Sequence, residues 1–294
     1  MVDRPDRHTV VVDNASGDGS AEKIEAAISQ NRWDRWARVV QSSRNGGFSA
    51  GNNLGISSEP AEFFLLLNSD ARVLPDAIDE MIAAMAANPR LGMVGPRLIW
   101  PDGVSQNSCF RYRSPISEML YAARTGPLDR LFKNFVIAMP ISETPVGTEW
   151  LSFSCVMIRH AVIAEIGPMD EGFFMYFEDI DYCRRAARAG WTIWHEPRAK
   201  AIHLRGGSAS LKADLAAKRK LPLYYFESRS RYFAKFYGGV IGIVAANLFW
   251  IVGRGVAFLR ELLERREALV SQNEFFDIWT NWWRPMRPSS FLNK

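Results

Sequence analysis

A continuous apolar run that ends in three polar residues constrains the fold of this chain most strongly. Phe63–Leu67 contains no polar residue, and Asn68, Ser69 and Asp70 follow it directly. A run without alternation is typical of a strand that is buried on both faces of a parallel sheet. Ligands of such sheets lie beyond the carboxyl ends of the strands. The sequence therefore predicts that Asp70 holds a divalent cation or another polar ligand at this edge.

The segments around this run alternate between strands and helices. Residues 8–12, 37–41 and 91–100 have the composition of strands, whereas 21–28 and 75–87 have the pattern of helices. This alternation indicates a doubly wound α/β domain with a mostly parallel sheet flanked by helices. The sequence lacks both the glycine fingerprint of dinucleotide-binding domains and the phosphate-binding loop of P-loop enzymes, so neither class is favoured.

The first predicted strand begins almost at Met1. In nucleotide-binding βαβ halves, the strand with an acidic residue at its tip is usually the second, and a strand and helix of roughly 30 residues precede it. We therefore expect either that the start is truncated or mis-assigned, or that another segment supplies the missing strand.

Charge and cysteine content limit the partners and the compartment. The 294 residues carry a net charge of +4, with a pI near 9.0. This mild basic excess is compatible with an anionic membrane surface, a phosphorylated substrate or nucleic acid, and we predict no nucleic acid partner. Cys109, Cys155 and Cys183 form no CxxC pair, which predicts buried free thiols in a reducing cytosol. The charged and polar start predicts no signal peptide.

The last third of the chain differs in composition from the rest. Residues 211–236 are basic with a helical pattern, and residues 238–259 are strongly apolar but contain Arg254. We predict a first domain at 1–210 and a helical, membrane-associating extension at 211–294. A membrane-spanning helix needs about 20 apolar residues with few charges. The apolar stretch is therefore compatible with a helix in the membrane interface, a true span, or a packing helix of a soluble protein or homodimer.

Five motifs follow one another between residues 9 and 208. They are VVDNASGDGS, GFSAGNNLG, LLNSD, FFMYFEDID and a histidine, His203, shortly before Gly-Gly-Ser. With these motifs the chain resembles a family 2 glycosyltransferase of the GT-A fold, in its rhamnosyltransferase-like branch. The resemblance implies a Rossmann-like GT-A domain that transfers a sugar from a nucleotide-diphosphate donor.

The resemblance also implies a nucleotide site after the first strand. Asp13 would accept the ring N–H of a uracil or thymine base, although Asp13 taken alone is also typical of a turn. The other predicted nucleotide-binding residues are Asn14, Ser16, Asn45, Asn52 and Asn68. The implied donor is a dTDP-sugar or a UDP-sugar, with dTDP-rhamnose as the leading candidate.

A metal site with Mg²⁺ or Mn²⁺ follows from the same resemblance. Asp70 matches the last residue of the DxD motif of the family, and His203 matches the histidine that completes the site. Asn68 stands where many members carry aspartate, so the metal site has one carboxylate fewer. Imidazole suits Mn²⁺ better than Mg²⁺. Without the resemblance, a lone histidine at a strand end is more often structural.

The resemblance assigns Asp179 as the general base of an inverting transfer. Glu178 and Asp181 crowd Asp179, and their like charges are expected to raise its pKa. The spacing alone leaves the choice of carboxylate open, and the cluster is also typical of a well-capped helix start. The predicted acceptor-binding residues are Asp170, Glu171, Phe174, Tyr176 and Glu178.

These inferences predict an inverting, metal-dependent glycosyltransferase that moves rhamnose or a similar sugar to a lipid-linked or polysaccharide acceptor in cell-surface glycan synthesis. We expect it in the cytoplasm, peripheral at the inner face of the cell membrane. A catalytically inactive scaffold is an alternative, motivated by Asn68 and the missing strand. A sugar-phosphate nucleotidyltransferase is another, but such enzymes usually carry a glycine-rich, basic loop after the first strand, and this sequence lacks one.

Overall fold

A computed structural model of the chain describes residues 6–204, 219–264 and 270–293. The strands are β1 (Thr9–Asp13), β2 (Ala37–Gln41), β3 (Phe63–Leu67), β4 (Ala71–Val73), β5 (Leu91–Ile99), β6 (Cys109–Phe110), β7 (Val146–Gly147), β8 (Trp150–Leu151), β9 (Cys155–Arg159) and β10 (Thr192–His203). The helices are α1 (Ser20–Gln30), α2 (Gly47–Ser58), α3 (Ala77–Ala87), α4 (Pro115–Ala123), α5 (Gly126–Leu131), α6 (His160–Ile166), α7 (Glu178–Arg188), α8 (Leu223–Tyr237), α9 (Val240–Glu264) and α10 (Glu274–Asp277). The Gly-Gly-Ser motif and the start of the predicted basic helix lie outside the described residues.

Six strands form a central mixed sheet in the order β3-β9-β5-β10-β4, with β7 paired to β10. β5 and β10 are parallel, whereas β9 runs antiparallel to β3 and β5, and β4 and β7 run antiparallel to β10. The predicted α/β class is right, but the prediction of a mostly parallel sheet is wrong. The apolar run of β3 indicates burial, and burial does not depend on the direction of a neighbouring strand.

The first two strands form a separate parallel pair, and a third, two-stranded antiparallel sheet joins β6 to β8. Among the described residues, β1 pairs only with β2, and β3 pairs only with β9. The apolar side chains of β1 and β3 are mostly half-buried, and Leu67 is 36% exposed. The sequence predicts one sheet for all of these strands, but β1 and β2 form their own sheet, and β3 and β5 belong to the central one.

Helices cover both faces of the central sheet. Val94 and Met157 point to one face and pack against Met81 and Met85 of α3. Their chain neighbours Met93, Val156 and Ile158 point to the opposite face, toward α6 and α7. This alternation follows from the pleat of a strand. The three cysteines are buried free thiols, as predicted.

The C-terminal helices share a core with the segment that leads into α7. Phe173, Phe177 and Ile180 belong to one hydrophobic cluster with side chains of α8 and α9. Among those side chains are Tyr225, Phe226, Tyr232, Phe233, Ile243 and Trp250. The predicted boundary at residue 210 therefore marks a change in composition, while the packing continues across it.

Candidate active site

The loop after β1 is fastened to the start of α2 by two asparagine side chains. Asn14 Nδ2 donates to the Gly47 carbonyl at 2.9 Å and to Asn45 Oδ1 at 3.2 Å. The N–H groups of Gly46 and Gly47 donate to Asn14 Oδ1 at 3.1 Å and to Asn45 Oδ1 at 3.0 Å. The structure thus brings these two predicted nucleotide-binding residues together and fixes their orientation.

Asp13 ends β1 and begins the turn that carries Ser16. The N–H of Ser16 approaches the two carboxylate oxygens of Asp13 at 3.3 and 3.4 Å, an Asx-type turn. These long contacts leave the carboxylate able to accept a stronger hydrogen bond. The side chain of Asn52 donates to the Phe48 carbonyl at 2.9 Å within α2, so part of its hydrogen-bonding capacity is used inside the helix.

The first turn of α2 lies against the segment that precedes α7. Gly47 has a φ of 79°, and a Cβ atom there would lie 2.1 Å from the carbonyl oxygen of Phe174. The next backbone N–H donates to the same oxygen at 2.8 Å. Asn53 exchanges hydrogen bonds of 3.0 Å with the backbone of Met169 and donates to Glu171 at 3.0 Å. Helix α2 therefore positions the predicted acceptor loop.

Gly47→Ala is expected to destabilise the fold and to weaken acceptor binding, because the added methyl group would push against the Phe174 carbonyl. A left-handed backbone alone costs a non-glycine residue about 1–2 kcal/mol. Gly17→Ala is the matched control, since Gly17 has a φ of 69° and open space around it. Urea unfolding and the acceptor KM measure the difference. Equal losses in the two variants would show that the contact with Phe174 has no role.

Strands β4 and β10 bring the two predicted metal ligands together. Ala71 pairs with His203 in the antiparallel ladder, and the N–H of Leu204 donates to the Asp70 carbonyl at 2.9 Å. Asp70 Oδ1 lies 3.3 Å from His203 Nε2, and the two side chains are 16% and 12% exposed. Gln106 Nε2 donates to the His203 carbonyl at 2.7 Å and holds the end of β10 in place.

This pair fits part of a divalent-cation site. Carboxylate and imidazole groups both bind Mn²⁺. Over residues 6–204, 219–264 and 270–293, no group of three or more His, Cys, Asp or Glu side chains is placed to hold a metal. Two side chains alone leave most coordination positions open, so the oxygens of a bound ligand would have to fill them.

Asp179 lies in the first turn of α7, where backbone N–H groups stabilise negative charge. The N–H of Ile180 donates to Asp179 Oδ1 at 2.8 Å. Burial raises the pKa of Asp179 to about 7, and the N–H groups of Ile180 and Phe153 and the charge of Arg113 oppose this rise. Residue 179 as a whole is nevertheless half-buried. A reachable carboxylate with a pKa near neutrality is suited to general base catalysis.

The two other acidic residues of this turn are placed differently. Glu178 is 6% exposed, and burial together with the charge of Asp179 raises its pKa well above the usual value. Asp181 is buried and forms ion pairs with Arg185 at 2.9 Å and Lys235 at 2.5 Å. The pKa of Asp179 is raised, as predicted, but burial is the main cause, whereas the prediction relied on the like charges of Glu178 and Asp181.

One short loop connects the Asp70 side of the site with the Asp179 side. The N–H of Asn68 donates to the Ser154 carbonyl at 3.0 Å. The backbone N–H of the preceding residue, Phe153, is directed to the carboxylate of Asp179. Sequence reasoning missed this loop, since residues 149–159 have the composition of one ordinary strand.

Partly exposed aromatic rings line the segment before α7. The ring of Phe174 lies 5.4 Å from that of Tyr224 and 5.6 Å from that of Phe291, and Tyr176 stacks on Tyr224 at 6.1 Å. Tyr224 and Phe291 come from the C-terminal helices and were not predicted. Only the density of aromatic residues around 224–226 could have suggested a role for this part of α8.

The chain enters α7 through two consecutive residues with a left-handed backbone. Tyr176 and Phe177 have φ angles of 68° and 69°. Such conformations cost non-glycine residues about 1–3 kcal/mol each and persist where the surroundings fix them. The Arg113 guanidinium lies 5.2 Å from the Phe177 ring and pairs with Glu118 at 2.8 Å. Arg113, also missed from the sequence, therefore supports this turn.

Asp170, a predicted acceptor-binding residue, is held by two cations of α8. Its carboxylate pairs with Arg231 and Lys235 of α8, both at 2.8 Å, and accepts the N–H of Gly172 at 2.9 Å. Burial opposes ionisation, but the hydrogen bonds from Arg231 and Lys235 hold the pKa of Asp170 well below its usual range. Asp170 thus fastens the loop to α8. Glu171 remains exposed beside it.

A cleft of about 760 Å³ lies between α2, β3 and α6, next to Asn53. Its lining includes Ile56, Phe64, His160 and Ile163. None of the predicted nucleotide, metal or acceptor residues lines it, so its volume has no bearing on the site described above.

Comparisons with known proteins show what the chain as a whole is similar to. Residues 3–131 match the family described as Glycosyl transferase family 2. Over 278 residues the chain is 28% identical to the N-acetylglucosaminyl-diphospho-decaprenol L-rhamnosyltransferase of Mycobacterium tuberculosis. That alignment covers 88% of this chain and 84% of the relative.

Two solved structures share the fold. GalNAc-T7 with UDP, GalNAc and Mn²⁺ superposes with a TM-score of 0.56 at 13% identity, covering 96% of this chain and 53% of that one. The mannosyltransferase PcManGT of Pyrobaculum calidifontis, in complex with GDP-Man and Mn²⁺, gives 0.54 at 14% identity, covering 87% of this chain and 66% of that one. The chain thus spans about half the length of the first structure and two thirds of the second. The chain is a glycosyltransferase with the GT-A fold, and its residues 3–131 match glycosyl transferase family 2.

Proposed function

We propose that the chain is an inverting, metal-dependent glycosyltransferase that moves rhamnose or a similar sugar from a dTDP- or UDP-linked donor to a glycan or lipid-linked acceptor. The observation that carries this proposal is the close Asp70–His203 pair together with the loop at 153–154, which accepts the N–H of Asn68, two residues before Asp70, and directs the N–H of Phe153 to Asp179. The name of the mycobacterial relative describes rhamnosyl transfer to a lipid-diphosphate-linked sugar, and both solved structures are complexes with Mn²⁺.

The donor would occupy the side of the site that β1 and α2 form. Asp13 would accept the ring N–H of the base, because its carboxylate keeps acceptor capacity beyond its weak turn contacts. Asn14 and Asn45 hold each other in place and would shape the pocket wall. Ser16, Asn52 and Asn68 complete this proposed set.

The metal would be held by Asp70 and His203 together with phosphate oxygens of the donor. When bound, the cation neutralises charge on the departing nucleoside diphosphate. Asn68 contributes no negative charge, so the metal affinity of the free protein is expected to be modest. The phosphates would then make a large contribution to metal binding.

Asp179 would take the proton from an acceptor hydroxyl as its oxygen attacks the anomeric carbon. The bond between that carbon and the phosphate oxygen breaks, and the nucleoside diphosphate leaves with the electron pair. Attack from the face opposite the leaving group inverts the anomeric centre. Phe174, Tyr176 and Tyr224 would pack against the acceptor, since aromatic rings offer a flat apolar surface next to polar tips.

Calorimetric titration of dTDP and UDP tests the donor site. We expect binding in Mn²⁺ that weakens after EDTA, and a loss of affinity of about tenfold or more in Asp70→Ala and His203→Ala, since both remove a ligand of the metal. Asp102→Ala, which changes an exposed carboxylate in a turn, is the control. Binding that is unchanged by EDTA and by Asp70→Ala would contradict the metal role, and release of pyrophosphate during turnover would indicate nucleotidyl transfer instead.

A further inference from the structure

One face of α9 is exposed and entirely apolar. Ten residues between 240 and 263 are exposed, and none of them carries a polar side chain. Ile241, Leu248, Val252, Leu259 and Leu263 recur at intervals of seven and four, so they lie on one side of the helix. At 1.5 Å per residue this face is about 33 Å long. Monomeric soluble proteins rarely expose continuous apolar surfaces of this extent.

The opposite face of α9 is fastened to the rest of the protein. Asn247 is fully buried, accepts a hydrogen bond from Arg229 at 2.6 Å and donates to the Ile278 carbonyl at 3.1 Å. Gly253 lies so close to α4 that a Cβ atom would come within 2.2 Å of the Met119 carbonyl oxygen. The helix therefore presents a fixed apolar surface on the outside of a packed structure.

By length and composition α9 could cross a membrane, with a mean hydropathy of 1.8 in its most apolar window. Its packing argues against a span, because α4 and α8 lie along it and would enter the hydrocarbon with it. Helix α8 contains Glu227, Arg229, Arg231 and Lys235. Charged side chains at that depth are strongly unfavourable. The arrangement fits a helix that lies in the plane of the membrane interface.

The charge distribution favours an anionic partner for this surface. Residues 211–294 contain 14 Lys and Arg against 7 Asp and Glu, whereas residues 1–210 contain 22 against 25. Trp283 is 72% exposed and is followed by two exposed arginines, Arg284 and Arg287. Tryptophan and arginine side chains are enriched at membrane interfaces. Basic residues near the surface also attract anionic lipids.

We propose that the exposed face of α9 docks on an anionic lipid bilayer, with the helix parallel to the membrane plane. Helix α8 connects this face to Tyr224, which contacts the aromatic rings of Phe174 and Tyr176. Docking would therefore hold the acceptor side of the site at the membrane. That consequence for a lipid-linked acceptor rests on the proposed function. The docking itself depends only on the surface and its charge.

Flotation of the full chain with lipid vesicles tests the proposal. We expect flotation with vesicles of phosphatidylglycerol and phosphatidylethanolamine, weaker flotation with phosphatidylcholine, and partial release by salt. We expect a triple variant to lower the ratio of bound to free protein more than about a hundredfold, because each change removes an apolar contact with the lipid. The triple variant carries Leu248→Glu, Val252→Glu and Leu259→Glu. The matched control combines Val104→Glu and Leu131→Glu, which alter exposed apolar residues elsewhere. Thermal unfolding and nucleotide binding verify that each variant is folded.

Four results would overturn the proposal. In the first two, the native chain fails to float, or the triple variant floats as well as the control. In the third, the chain resists alkaline carbonate extraction, as a membrane-spanning protein does. In the fourth, the native chain is a soluble dimer that binds no vesicles and that the triple variant converts to monomers. Normal flotation without sugar transfer would count against the proposed function and leave the docking surface intact.

Discussion

Asp179→Asn is expected to lower kcat of sugar transfer by about 10²- to 10⁴-fold, the usual contribution of a general base. The amide keeps the size of the side chain but cannot take a proton from the acceptor. Nucleotide affinity is expected to change little, because Asp179 lies across the loop at 153–154 from the proposed donor side. A coupled assay of nucleoside diphosphate release measures the loss, and calorimetry measures the affinity.

The pH profile of the same reaction gives a sharper test. Burial raises the pKa of Asp179 to about 7, and the base must be deprotonated to act. Activity of the native chain is therefore expected to rise with pH through about 7 and then to level off. The residual activity of Asp179→Asn is expected to lose this dependence.

Glu178→Gln is the control for the choice of base. Glu178 is buried, and burial together with the charge of Asp179 raises its pKa and disfavours its charged form, so the neutral amide is expected to preserve most of the activity and the pH profile. If Glu178→Gln abolished transfer while Asp179→Asn kept the native profile, Glu178 would be the base.

Arg229→Met is expected to lower the free energy of unfolding by about 3–5 kcal/mol, the usual penalty for removing one partner of a buried ion pair. Arg229 is buried and joins α8 to α4 through Glu118 at 2.8 Å and to α9 through Asn247 at 2.6 Å. Glu118 also pairs with Arg113, and its pKa is lowered: burial opposes ionisation, but the two guanidinium groups outweigh it. Urea unfolding monitored by tryptophan fluorescence measures the loss.

Arg38→Met is the matched control, since Arg38 pairs with Glu59 at 2.8 Å on the surface. Exposed pairs contribute about 0–1 kcal/mol. Similar losses in the two variants would show that the buried network adds no stability. Because Arg113 contacts Phe177 beside α7, a destabilised network is also expected to reduce kcat.

Local structure and the candidate ligands were predictable from the sequence. Strand β2 coincides with its predicted range, 37–41, and the acidic cluster that is typical of a helix start does begin a helix, α7. Asp70 and His203, 133 positions apart in the sequence, lie 3.3 Å from each other as the family resemblance implies. Their roles in metal binding remain predictions, as does the role of Asp179.

The partners of these residues were not predictable from local patterns. Arg113, the loop at 153–154, Tyr224 and Phe291 reach the site from distant segments, and Asp170 is occupied by cations of α8. No sequence motif indicates these contacts, because each one joins residues that are far apart in the sequence.

The sequence by itself located most of the helices and strands of the first 100 residues and supplied the candidate site residues. Hydrophobic periodicity, helix caps and turn residues each involve positions that are close together in the sequence. They can therefore be recognised from the sequence alone. Only the tertiary structure decided the antiparallel direction of β9, the burial that raises the pKa of Asp179 and the exposure of one face of α9. Each of these depends on which distant surfaces pack together and exclude water, and no local pattern records that choice.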